Sequence, residues 1–299
     1  MSRSDRGREA RAGWLLATPA VALIAVFFVV PVLVGFWLSF TDFDVYAIGD
    51  PSVIRWVGVH QYADALHDAE FWNALRNTLV FVFVGGPLTV LASLGAALLV
   101  NAKRAKARGL FRVIFFTPVV TTLVAVAIVW RYLYHPRYGL IDWALTSLHL
   151  PAVDWLGDPH WALFGIIVLT VWKNFGYNML IFVAGLQSIP EEYYEAAALD
   201  GASGWERFRH ITLPSLGPTF LFVGVITMTS QFQIFAEPYV MTQGGPLRAT
   251  VTMVLLMYEQ GFRWWRMGVA SAISFLLFGL MLIGTLVQMR LQRERKAGA

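Results

Sequence analysis

The chain has 299 residues, of which 57% are hydrophobic and 14% charged, too little charge for a water-facing surface of this size. It has no cysteine, which removes disulfides, Cys-ligated zinc, iron–sulfur clusters and thiol catalysis. Its net charge of +4 is first a topology signal in so apolar a chain, and no aromatic-interleaved basic patch suits nucleic acid.

A helix needs roughly 20 apolar residues to cross the hydrocarbon core. Six segments qualify: Trp14 to Phe40, Thr78 to Val100, Val113 to Trp130, Trp161 to Leu186, Gly217 to Ala236 and Met267 to Met289. The first follows Arg3, Arg6, Arg8 and Arg11, but its apolar run is twice a signal-peptide core and holds Pro19 and Pro31. It reads as an uncleaved helix. The expected division is therefore an N-terminal stretch 1–13, a first span 14–40, an external loop 41–77, a bundle 78–289 and a tail 290–299.

Lys and Arg residues set the orientation. Arg3, Arg6, Arg8, Arg11, Lys103, Arg104, Lys106, Arg108, Arg112, Arg207, Arg209, Arg290, Arg293, Arg295 and Lys296 fall on one side, 15 against 7 on the other. Both termini are expected in the cytoplasm. The outer loops, Thr41 to Asn77, Arg131 to His160 and Glu237 to Arg266, are rich in the Trp and Tyr of an interfacial belt. Thr250 to Tyr258 is apolar but too short to span, so it should lie at the interface or pack on the bundle. Trp130 and Tyr134 read as belt residues, and Thr117, Thr121 and Thr122 as packing residues.

The fourth span carries the one ionisable residue at depth, Lys173. Thr170, Lys173, Asn174, Tyr177 and Asn178 recur at helical spacing and share a face. Such a stripe either lines a polar path or, for Lys173, pairs with a backbone carbonyl or a partner subunit. On the fifth span Thr227, Ser230 and Gln231 recur likewise, with Gln233 and Glu237 on a neighbouring face. They suit a path or interhelical hydrogen bonds equally. Gly268-x-x-x-Ala272 and Ala270-x-x-x-Ser274 are small faces for close helix contact, in this chain or a partner.

Between these spans lies a patterned cytoplasmic-side loop, Ser188 to Pro214. Ser188 and Glu191 have capping-box spacing with Pro190 between them, and Ser203 and Glu206 repeat it. Gly201 after Asp200 suits a left-handed stop, and Pro214 and Pro218 are placed to end the second helix. Two short helices joined by a tight turn are expected, with an alanine face at Ala196, Ala197 and Ala198 and a carboxylate at Glu195. That hairpin suits either another protein surface or lipid.

The loop resembles the EAA loop of permease subunits of binding-protein-dependent ABC importers. The likeness rests on Glu195, Ala196, Ala197, Asp200, Gly201 and Ala202, followed in register by Phe208, Ile211, Leu213 and Pro214. Ser39-Phe-Thr, Val57-Gly58 with Tyr62, Phe71 to Leu75 with Asn77-Thr78, Gly185 to Pro190 and Gly244-Gly245-Pro246 are similar to the carbohydrate-uptake, maltose-type branch. In the Gln243-Gly-Gly-Pro stretch that branch often has a further glycine.

The resemblance implies an all-α, polytopic type I importer permease with six transmembrane helices in a bacterial plasma (inner) membrane. It implies a second homologous permease, two ATP-binding subunits that the loop couples to, and an extracytoplasmic solute-binding protein. The cargo it implies is a sugar or oligosaccharide, with glycerol 3-phosphate or a glycerophosphodiester as the alternative. A secondary transporter or channel is the remote alternative. No G-x-x-x-x-G-K-[ST] stretch occurs, so ATP and magnesium are expected on the partners and no cofactor or metal in this chain. With no convergent acid, base and nucleophile, it is not expected to be an enzyme.

Overall fold

The computed structural model describes residues 3–102 and 107–297. Lys103, Arg104 and Lys106 of the charge count, and residues 1–2 and 298–299 of the tails, lie outside the described residues. In chain order the elements used below are α1 (Gly13–Leu38), α2 (Ala69–Asn101), α3 (Arg108–Val120), α4 (Leu123–Leu133) and α5 (Pro159–Gln187). They continue as α6 (Glu191–Leu199), α7 (Gly204–Ser215), α8 (Gly217–Phe232), α9 (Ala236–Met241), α10 (Met253–Tyr258) and α11 (Met267–Ala297). Among the described residues four helices are long and apolar enough to cross a membrane singly, and the number rises to six if each of the bent pairs α3–α4 and α7–α8 forms one span.

Three spans differ from expectation. The second begins at Ala69, not Thr78, because the Asp68 carboxylate accepts the Glu70 N–H at 2.8 Å and starts the helix early. The third is not one helix. α3 and α4 meet at 99°, with Thr121 and Thr122 extended (ψ 146° and 132°) shortly after Pro118. The fifth stops at Phe232, and the expected run to Ala236 breaks before α9 starts a new helix.

The chain divides into two compact units, Met1–His67 with Met257–Leu276, and Asp68–Leu256 with Leu277–Ala299. In the first, the Ser39 hydroxyl and Tyr62 hydroxyl share a 2.7 Å hydrogen bond, and Gln61 Nε2 donates to the Thr41 carbonyl at 3.2 Å. The Gly268 N–H donates to the Phe43 carbonyl at 3.0 Å, and a Cβ on Gly268 would strike the Thr41 carbonyl oxygen. The small face of the sixth span at Gly268 thus serves a contact within this chain.

In the second unit α5 is the central strut. Asp158 caps it by accepting the His160 N–H at 2.9 Å, and Pro159 occupies the first turn, where its missing N–H costs little. One end of α5 packs Met179, Phe182, Val183 and Leu186 against Leu94, Ala97 and Val100 of α2. The other packs Ile166, Ile167 and Leu169 with Phe81, Ala127 and Tyr134, whose hydroxyl donates to the Gly165 carbonyl at 2.9 Å. Thr250 to Leu256 is packed, not interfacial: Asn77 Nδ2 donates to the Val251 carbonyl and Thr78 Oγ1 accepts the Met253 N–H, both at 2.9 Å. Asn73 Nδ2 adds a bond to the Arg248 carbonyl at 2.8 Å.

Candidate functional site

The loop from Ser188 to Pro214 forms a helix–turn–helix. α6 has acidic residues Glu191 and Glu192 in its first turn, where the helix dipole favours them. It ends in a Schellman turn. Gly201 has φ +80°, its N–H reaches the Ala198 carbonyl at 3.2 Å, and the Ala202 N–H reaches the Ala197 carbonyl at 2.9 Å. α7 then starts in a full capping box, with Ser203 N donating to Glu206 Oε2 at 2.6 Å and Glu206 N donating to Ser203 Oγ at 3.3 Å.

Two expectations for this loop fail. The box at Ser188 and Glu191 does not form: Ser188 closes α5, its hydroxyl donating to the Gly185 carbonyl at 2.8 Å, and Pro190 precedes α6 with no side-chain cap. Pro214 does not end the second helix either. Phe208 to Thr212 make a wide turn in which the Leu213 N–H reaches back to the Phe208 carbonyl, so Pro214 enters a fresh first turn. The bend of 64° falls later, between α7 and α8.

No residue of α6 is buried. Glu195, Ala196, Asp200 and Gly201 stand exposed, Ala197 and Ala202 half-buried, and Leu199 is 89% exposed, with Tyr193 and Trp205 exposed as well. Phe208 and Ile211 are half-buried in the wide turn, and Leu213 and Pro214 are exposed after it. The two legs are tied by a contact that no local pattern signals: the Tyr194 and Thr212 hydroxyls share a 2.9 Å hydrogen bond.

The polar stripe of α5 splits between three neighbours. Its members span about 140° of helix circumference, so its edges cannot face one partner. At one edge the Lys173 ammonium donates to the Pro118 carbonyl at 3.0 Å and the Thr121 carbonyl at 2.9 Å. These oxygens lie at the α3 C-terminus, which lacks intrahelical donors and attracts a cation. Three residues on, Gly176 lets α3 close in, since a Cβ there would run into the Phe115 carbonyl. At the other edge Asn178 Nδ2 donates to Thr227 Oγ1 of α8 at 2.9 Å, and both residues are buried. Tyr177 is half exposed.

Between the edges lies a cavity of about 210 Å³. Its polar wall is Thr170 and Asn174 from α5, Ser230 and Gln231 from α8, and Gln233 and Glu237 from the start of the next segment. Asn174 Nδ2 is held by the Thr170 carbonyl at 2.9 Å, and Thr170 Oγ1 by the Ile166 carbonyl at 2.9 Å. Gln231 is 2% exposed, and its Oε1 has no hydrogen-bond partner. Helical spacing indicated Asn174, Ser230 and Gln231. The closeness of Gln233 and Glu237 depends on the chain turning after Phe232.

Residues 89–296 match the family model described as binding-protein-dependent transport system inner membrane component. The chain is 37% identical over 289 residues to the trehalose/maltose transport system permease protein MalF of Thermococcus litoralis, covering 97% of this chain and 96% of that protein. It is 33% identical to the lactose transport system permease protein LacF of Rhizobium radiobacter, covering 95% of each. In fold it is similar to a chain of a bacterial ABC transporter involved in the import of the acidic polysaccharide alginate. That match has a TM-score of 0.78 and 22% identity, and covers 97% of this chain and 99% of that one.

Proposed function

The chain belongs to the family of binding-protein-dependent transport system inner membrane components, and from that premise we propose that it forms half of the translocation path of an ATP-driven sugar or oligosaccharide importer. The observation that carries the reading is the helix–turn–helix of α6 and α7, fixed by the Schellman turn at Gly201 and the capping box at Ser203, with no residue of α6 buried. A rigid, exposed hairpin bearing Glu195, the alanine face and bare Leu199 suits docking into a cleft on an ATPase subunit. The small side chains allow close approach, and Glu195 offers a partner for a cation there.

In this reading the chain works with a second permease, two ATPase subunits that hold ATP and magnesium, and an external solute-binding protein. Both termini lie in the cytoplasm of a bacterial cell, and the protein sits in its inner membrane. Nucleotide-driven closure of the ATPases moves α6. That movement passes through the bend between α7 and α8 to the cavity wall at Ser230 and Gln231, and the path opens alternately to either side. The polar cavity supports a hydroxyl-rich cargo. The names of relatives that carry maltose, trehalose and lactose favour the same class. Because the Lys173 ammonium is engaged by two carbonyls, it lends little support to the glycerol phosphate alternative.

The test is uptake of labelled maltose, lactose and trehalose into proteoliposomes that hold the complex, with its binding protein outside and ATP within. Uptake that needs both ATP and the binding protein supports the reading. Uptake by this chain alone, without ATP, would instead make it a secondary transporter or channel.

A further inference from the structure

The cavity between α5, α8 and α9 has one ionisable group in its wall, Glu237. Burial opposes ionisation of Glu237 and the Lys173 charge favours it through space, but the Lys173 ammonium is bound to Pro118 and Thr121 and does not line the cavity. The remaining polar wall offers amides and hydroxyls. Gln231 presents a buried carbonyl oxygen without a donor, and such a group gains most from a ligand that supplies one. A space of about 210 Å³ lies below the roughly 300–1,000 Å³ of drug-sized sites, so it holds about one ring of a larger cargo.

We propose that Glu237 selects cargo by charge at this point of the path, admitting neutral and amino sugars and turning away anionic ones. Sugar hydroxyls donate to its carboxylate and to Gln231 Oε1. A carboxylate or phosphate on the cargo would meet Glu237 at contact and Lys173 only at a distance, inside a poorly screened site. This rests on the reading of the cavity as part of a sugar path. It also separates the chain from its structural relative in an importer of the acidic polysaccharide alginate.

The absence of cysteine makes the test direct. Ser230→Cys places one thiol in the cavity wall, and its modification in the assembled complex is read by mass spectrometry of this chain. Cationic and anionic methanethiosulfonates of matched size are compared, each corrected for its rate with a free thiol. The cationic reagent should react about five- to tenfold faster. Adding Glu237→Gln should bring the two rates together, while Glu237→Asp should keep the preference and so exclude misfolding as the cause. D-Glucosamine and D-glucose should protect the thiol and D-glucuronate should not, unless Glu237→Gln is present. Equal reagent rates, a preference that survives Glu237→Gln, or protection by glucuronate equal to that by glucose would overturn the proposal. None of these outcomes depends on ATP-driven uptake, so charge selection and importer function fail separately.

Discussion

The Lys173 ammonium donates to the Thr121 carbonyl oxygen at 2.9 Å, joining the middle of α5 to the break between α3 and α4. Its second bond, at 3.0 Å, goes to the Pro118 carbonyl, which the Thr121 hydroxyl also caps at 2.6 Å, so both helix-end carbonyls carry a donor from outside the backbone ladder. Lys173→Met keeps the stem and removes the ammonium. It should lower stability by about 1.5–3 kcal/mol, the usual worth of hydrogen bonds to a charged group. Unfolding in mixed micelles measures this, and Lys173→Arg should recover part of the loss. A Lys173→Met protein as stable as the parent would show that the break holds itself.

Gly176 and Phe115 make the same junction by contact. Because a Cβ at 176 would meet backbone rather than a movable side chain, Gly176→Ala should push α3 outward. Overpacking of this kind costs about 1–3 kcal/mol. The matching measurement is the thermal midpoint of the purified chain, with Gly95→Ala, where a Cβ meets nothing, as the neutral control.

Asp158 supplies a pH-dependent element outside the membrane-spanning segments. The His160 backbone N–H donates to its carboxylate and holds it below the ordinary 3.8, and the His160 ring adds to the effect. A depressed folded value means that the stabilisation is complete above the ordinary value and is lost as pH falls through the folded one. The first turn of α5 should therefore stay closed through mildly acidic pH and fray only in strong acid. The His160 amide shift, titrated into acid, should show its transition below that of a free aspartate. Asp158→Asn should abolish the transition.

Much of this is legible in the sequence, for identifiable reasons. Spans are long apolar runs, and the Asp200-Gly201 and Ser203-x-x-Glu206 signals act within a turn of themselves, so local pattern suffices for them. Ser188 misled because two helix ends compete for one hydroxyl, and it closed α5 rather than opening α6. The Thr121 carbonyl at the break is bonded by Lys173, 52 residues away, a distance across which periodicity carries no information. Spacing places the stripe on α5 on a single face, whereas its two edges meet different helices. Gln243 has φ +52°, a left-handed conformation that glycine adopts without strain.

The most direct test of the central claim is solute-stimulated ATP hydrolysis by the reconstituted complex carrying Glu195→Ala and Gly201→Val together. The first removes the carboxylate proposed to meet the ATPase, and the second places a branched side chain where φ is +80°. Stimulation should vanish while all subunits still co-purify and basal hydrolysis persists. Normal stimulation in that double variant would contradict the role of α6 as the link between this chain and its ATPase.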